Sequence, residues 1–277
     1  LNLGDVREQL RPVINHIWKW SKGGLSLEED TATKVDVDEL GKALRSSDES
    51  KRIESAYLLA VSHDSKSESL LFEALEDDSE STRRAGCYGI RASIAPDVER
   101  LIKLTRAKRV STRRMAVYAL GAHLLMNEKE VVAALIDRLK LDEDDLVRSN
   151  SAYTLGQVVR QARHCATEII DALIERLFAG VERNNTDVAL MPRSTVRQSI
   201  AYALVQASAN HEFTEQQLSN LIEAGLDDSD RYVQGLTVEV LRMANKIGKQ
   251  TLDRVLTVLS RTRLSQTPVW VEGGNTD

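Results

Sequence analysis

The chain has 277 residues, 42% of them hydrophobic and 29% charged. That is the balance of a water-exposed globular protein, with length enough for one large domain or a repeat array. A formal net charge of -5 and a pI near 5.7 exclude a global basic field that would draw in nucleic acid or an anionic membrane. Only four prolines and three phenylalanines occur, which favours helix over sheet.

The chain starts Leu1-Asn2-Leu3 without a methionine, so the expected product is a processed chain, an excised domain or a fragment of something longer. Residues 1–35 form the first region. Val6 to Lys19 has the pattern of a helix whose start is restricted by Pro12, and Trp18 and Trp20 make its end the most aromatic stretch of the sequence. Gly23-Gly24 and the acidic run Glu28-Glu29-Asp30 then break the pattern. Two readings stand for this region: an N-terminal cap, which repeat arrays need, or the end of an upstream domain.

From residue 36 to about 260 one frame recurs: an arginine, four residues, a tyrosine. It is met at Arg52/Tyr57, Arg83/Tyr88, Arg113/Tyr118, Arg148/Tyr153 and Arg197/Tyr202, and a sixth copy has Gln234 and Glu239. The steps are 31, 30, 35, 49 and 37 residues. Counting from the arginine, position +7 holds Leu59, Ile90, Leu120, Leu155, Leu204 and Leu241. Position +4 holds Ala56, Cys87, Val117, Ala152, Ala201 and Val238, and +3 holds Ser55, Gly86, Ala116, Ser151, Ile200 and Thr237. These three columns share one face of an α-helix, and their small residues let a neighbouring helix come close.

Acidic or Ser-containing starts precede these helices, at Ser47-Asp48, Asp77 to Ser79, Asp142 to Asp145 and Asp227 to Asp230, as capping and the helix dipole require. Before each start lies a shorter amphipathic run: Val37 to Arg45, Glu68 to Glu76, Val98 to Ala107, Val131 to Lys140, Ile169 to Gly180 and Gln217 to Gly225. Each unit is therefore a helix, a turn and a second helix. A single pair cannot bury its apolar face, whereas stacked neighbours can. The fold predicted is all-α, an α–α superhelix of about six helix pairs, with a seventh helix from about Lys249 to Ser260. The long fourth step carries an insertion, roughly Val181 to Arg193, read as a surface loop or a partner-contacting one. Residues 261–277, with Pro268, Trp270 and Gly273-Gly274, read as a disordered tail.

The pattern resembles HEAT-like repeats, in particular the short form found in phycobilisome lyase subunits. The stretches that carry the resemblance are Leu146-Val147-Arg148 through Leu155-Gly156, Thr112-Arg113 through Leu120-Gly121, and Val196-Arg197 through Leu204. The resemblance implies that the register arginines Arg52, Arg83, Arg113, Arg148 and Arg197 fix repeat against repeat, and that the second helices line a concave face. Five copies of one residue at one position point the same way, since a catalytic residue is needed once.

Position +5 lies about 140° around the helix from the arginine, away from the core columns. The tyrosines either wedge between successive helices or present a gripping surface. In the second case Tyr88, Tyr118, Tyr153 and Tyr202, with Arg84 and Arg114 at i,i+4 spacing to the first two, form the binding site. No catalytic residue, metal ligand set or cofactor motif stands out. His211-Glu212 is the sole His-Glu dipeptide, too few ligands for the di-iron hydroxylases built on such repeats. His63 and His123 read as residues that end helices and interact with their dipoles. Cys87 and Cys165 lie apart and form no framework, Cys87 reading as core.

The function expected is a non-catalytic scaffold holding a protein or peptide partner on the concave face of the solenoid, in the cytoplasm, with no nucleic acid, membrane or cofactor. The alternatives are an accessory C-terminal region of an enzyme that begins before Leu1, and a phycobilin-lyase-like chromophore chaperone.

Overall fold

A computed structural model of the chain describes residues 36–261 apart from 63–65, 94–95, 163, 180–195, 227 and 245–246. The N-terminal helix and cap of residues 1–35, the Val181 to Arg193 insertion and the tail beyond 261 lie outside the described residues, as does His63.

The helices among the described residues form six pairs and a further helix. We label them α1 (Val37–Leu44), α2 (Glu49–Val61), α3 (Ser67–Leu75), α4 (Glu80–Ala92), α5 (Val98–Leu104), α6 (Val110–Leu120), α7 (Glu128–Leu141), α8 (Asp145–Val159), α9 (Ala166–Ala179), α10 (Val196–Ser208), α11 (Glu215–Leu221), α12 (Arg231–Met243) and α13 (Lys249–Arg261). A 3-10 turn, Leu124–Met126, precedes α7, and a π turn, Ile222–Leu226, extends α11. The fold is an all-α helical repeat, as the register predicts. It divides into two compact units, residues 1–134 and 135–277, the division falling inside α7.

Local chemistry starts the second helices. Asp48, Ser79, Asp144 and Asp230 each accept a first-turn amide with their side chains. Two residues before three of these caps, an aspartate carboxylate takes the cap residue's own amide: Asp77 from Ser79 at 2.7 Å, Asp142 from Asp144 at 3.0 Å and Asp228 from Asp230 at 2.9 Å. These are Asx turns, in which the side chain stands in for a backbone turn. Thr214 and Gln217 close a reciprocal capping box at the start of α11.

In the first unit, α2, α4 and α6 present Ala56, Leu59, Cys87, Ile90, Val117 and Leu120 to a core completed by Leu71, Phe72 and Leu75 of α3 and by Leu101 of α5, all buried. In the second unit α8, α10 and α12 bury Ala152, Leu155, Ala201, Leu204 and Leu241 with Ile169, Leu173, Leu218 and Ile222. The +3 and +7 columns are buried in all six repeats, and +4 in five. Val238 is the exception at 50% exposure, because no described second helix follows α12 to cover that side.

Close approach sets the small residues. A Cβ on Gly86 would sit 2.7 Å from the Leu71 carbonyl oxygen, and one on Gly156 would sit 2.7 Å from the Ala203 Cα, both backbone atoms that cannot swing aside. Gly235, in contrast, has open space around it and lies exposed on α12. Gly156→Ala should therefore lower stability by about 1–3 kcal/mol, because overpacking outweighs the ~1 kcal/mol of helix propensity gained. Gly235→Ala should raise it by about 0.5–1 kcal/mol. Urea midpoints of the two variants check the pair, and a stable Gly156→Ala protein would refute the packing argument.

His123 closes the α6 end differently from the dipole reading. It is buried, and its Nε2–H donates to the Ile90 carbonyl at the C-terminal end of α4, at 2.9 Å. Burial holds its pKa below the ordinary 6.5, so it works as a neutral donor and not as a cation. A lowered folded pKa means that the unfolded chain takes up the proton first on acidification. Stability supplied at this site is thus present above pH 6.5 and is lost as the pH falls through it. Thermal unfolding at pH 7.5 and 5.5 should show a smaller acid-induced drop in His123→Gln than in the parent, since the amide can keep the bond without titrating.

Candidate binding surface on the second helices

Arg52, Arg83, Arg113 and Arg148 each lie four residues past the helix cap, where the side chain folds back over the turn joining first helix to second. Arg83 Nη1 donates to the carbonyls of Asp77 and Asp78, at 2.6 and 2.8 Å. Arg113 Nη1 donates to those of Ala107 and Lys108, both at 3.1 Å, and Arg148 Nη1 to that of Asp142. Arg52 Nη1 takes Ser46 at 3.0 Å and Ser47 at 3.3 Å. The pattern is one of carbonyls five and six residues back, within the arginine's own repeat. Gln234 keeps it without the charge, its amide donating to the Asp228 carbonyl at 2.6 Å. Arg197, which follows the long step, reaches the Leu177 carbonyl at 3.2 Å instead.

Two of these arginines also bond from repeat to repeat, as do Arg109 and Arg91 outside the register. Arg52 Nε meets the Asp77 carboxylate at 3.0 Å, and Arg197 Nε meets Asp228 at 2.7 Å. Arg109, the cap residue of α6, donates to the Asp77 carbonyl at 2.6 Å and to the Asp78 carboxylate at 2.5 Å, holding the Asp78 carboxyl below the usual range. Arg91 donates to the Tyr118 carbonyl.

The tyrosine column falls on the outer side of the second helices. In the first unit Tyr57 is half-buried, and burial raises its phenol pKa, with neighbouring Tyr88 adding to the shift. Tyr88 is 39% exposed and Tyr118 partly so. In the second unit Tyr153 and Tyr202 are 40% and 37% exposed and stack on each other, ring centroids 6.0 Å apart and planes 12° from parallel. So the column does not disappear into the core: its rings are half-buried or partly exposed, and Tyr153 and Tyr202 lean on each other.

The cationic partners differ from the i,i+4 pairing read from the sequence. The guanidinium over the Tyr118 ring, 3.9 Å from its centroid, is that of Arg91 from the preceding repeat. Arg84 turns to Glu80, at 2.9 Å. Arg114 lies on the same side of α6 as Tyr118 and is partly exposed. Its Nε is buried without a hydrogen-bond partner.

The arrangement offers contact and charge. Among the described residues no group of three or more His, Cys, Asp and Glu side chains could hold a metal ion. Cys87 is buried with its Sγ 3.4 Å from the Met115 carbonyl, and burial pushes its pKa up to about 12, the opposite of an activated thiol. No helix among the described residues is long and apolar enough to cross a membrane.

Comparison with known proteins agrees with the architecture. A family model described as HEAT repeats matches residues 98–181. No curated protein sequence matches the chain. Among solved structures, an engineered protein of a structural genomics consortium is 21% identical, with 76% of this chain and 96% of that one covered at a TM-score of 0.51, which shows a shared fold. A designed armadillo repeat protein in complex with a (KR)4 peptide is 13% identical over 76% of this chain and all of its own, at a TM-score of 0.49. The CpcE and CpcF complex of phycocyanin lyase from Nostoc sp. PCC7120 is 23% identical over 80% of this chain and 70% of its own, at 0.40. With six helix pairs in one register, and HEAT repeats matched over residues 98–181, the chain has a HEAT-like repeat fold.

Proposed function

We propose that the chain is a non-catalytic scaffold that holds a protein or peptide partner on the outer side of its second helices. Residues 36–260 form the binding module. Tyr88 and Tyr118 with Arg84 and Arg114 form the binding surface of the first unit, and Tyr153 and Tyr202 that of the second. The observation that carries this reading is the repeated, half-exposed tyrosine at one position of successive second helices. A monomer has no packing need for large aromatic rings on its outer side. Tyrosine there supplies wide apolar contact with a polar tip at low entropic cost, as it does at interfaces. The register arginines Arg52, Arg83, Arg113, Arg148 and Arg197 belong to the structure of the repeats and not to the binding surface, since they fold back on turn carbonyls and Asp side chains.

Affinity in such an interface concentrates in a few aromatic and arginine anchors, each worth about 2 kcal/mol when truncated. Capture from a lysate of the source cells should retain a partner on the parent chain. A Tyr88→Ala/Tyr118→Ala variant with an unchanged helical spectrum should lose it. A folded double variant that retains the partner undiminished contradicts this surface.

A further inference from the structure

Resting on the scaffold reading, the geometry points to the chemistry of what the first unit takes: we propose that the outer side of α4 and α6 binds an extended acidic segment of a partner protein, with carboxylates three residues apart.

The argument begins with the side chains around the tyrosines. Taking the register arginine as zero, positions +1, +5 and +8 lie within about 60° of one another on the helix surface. In α4 and α6 these positions are Arg84, Tyr88 and Arg91, then Arg114, Tyr118 and Gly121. The acidic side chain on this sector is Glu80, one turn before Arg84. The sector therefore carries three guanidiniums against one carboxylate, on a chain whose net charge is -5. A local cationic strip of this kind complements an anionic partner surface.

The state of each guanidinium sharpens this. Arg91 is committed to the Tyr118 ring and carbonyl. Arg84 is held by an exposed i,i+4 pair with Glu80, an interaction worth at most about 1 kcal/mol and readily exchanged for a partner's carboxylate. Arg114 has no hydrogen-bond or ion-pair partner among the described residues, and its Nε is withdrawn from solvent with no acceptor. The partly exposed Arg114 guanidinium beside the Tyr118 ring is thus open to a partner's acceptor, and carboxylate is the one that fits its planar group.

Spacing selects the shape of the segment. Arg84 and Arg114 hold the same position on packed neighbouring helices, whose axes run about 8–10 Å apart. One turn of an extended polyproline-II chain is three residues and about 9.3 Å, so residues i and i+3 point to the same side at that distance. Such a segment crossing α4 and α6 sets one carboxylate on each arginine. Its apolar backbone side then lies over the Tyr88 and Tyr118 rings, one helical turn further along. The second unit serves as an internal comparison. Its same columns hold Ser149, Gln198 and Gly235 at +1, and its Arg242 at +8 is paired with Glu239 at 2.6 Å. That surface is neutral and carries no such preference.

The test is selection of a random-peptide phage library on the full chain. Parallel selections use Arg84→Gln/Arg114→Gln, Arg84→Lys/Arg114→Lys and Tyr88→Ala/Tyr118→Ala variants, each checked for an unchanged helical spectrum. The parent should enrich peptides with Asp or Glu at i and i+3, and a synthetic peptide of that pattern should bind about tenfold more weakly to the Gln variant than to the parent. The Lys variant, which keeps the charge, should retain the acidic preference. Peptides that need the tyrosines but show no excess of Asp and Glu would overturn the acidic inference while leaving the scaffold reading in place. Enrichment of the same peptides by the tyrosine variant, or of none by the parent, would overturn both.

Discussion

Everything in this architecture depends on reversing the chain between the first and second helix of each repeat without leaving buried carbonyls unpaired. The carbonyls of a tight turn have no helical partner, and here a side chain folded over the turn takes the place of water. The protein answers with one side chain placed four residues into the second helix. In four repeats an arginine folds back to the carbonyls five and six residues earlier. An aspartate at the start of three turns fixes the amide of the cap residue from the other side. Arginine suits the task because its rigid guanidinium carries Nη1, with two N–H donors, over the turn while staying charged.

With the turn fixed, the rotation of every second helix is fixed too, and the columns of the repeat follow. Small residues at +3 and +4 allow packed helices to touch, and Gly86 and Gly156 mark where even one methyl is too many. Positions near 80–140° are what remains for solvent. The tyrosines and the arginines of α4 and α6 therefore occupy a surface that the core does not need. Binding groups can change there without disturbing the packing, which is how the two units come to carry differently charged faces on one scaffold.

Much of this was legible in the sequence, because a period repeated six times averages out local ambiguity. The helix pairs, the acidic caps, the core columns and the outward direction of the tyrosines all follow from the register. What the register hides is where a flexible side chain goes once placed. Arg84 and Tyr88 have ideal spacing for a stacked pair, yet Glu80 offers Arg84 a full charge one turn away, and Arg91 reaches the Tyr118 ring from the neighbouring helix. No single-helix rule contains that contact. Gln234 looks like a lost arginine but keeps the hydrogen bond, since the turn needs a donor more than it needs a charge. The π turn at Ile222–Leu226 was not read either. It adds a residue to the end of α11 where Gly225 lies under Thr237, and nothing in the amphipathic pattern marks it. His123 reads as a dipole partner by position, but burial makes it a neutral donor.

The most direct test of the turn's role is hydrogen exchange on an Arg83→Met variant, with Arg83→Lys beside it. Arg83 is buried and donates to two carbonyls of its turn. Removing it should expose the backbone of the turn between α3 and α4, speed exchange from about Asp77 to Thr82, and lower stability by about 3 kcal/mol. Lysine, a single point donor, should restore only part of the protection. Unchanged exchange across that turn with unchanged stability would contradict the account, and would mean that the repeats hold their register by apolar packing alone.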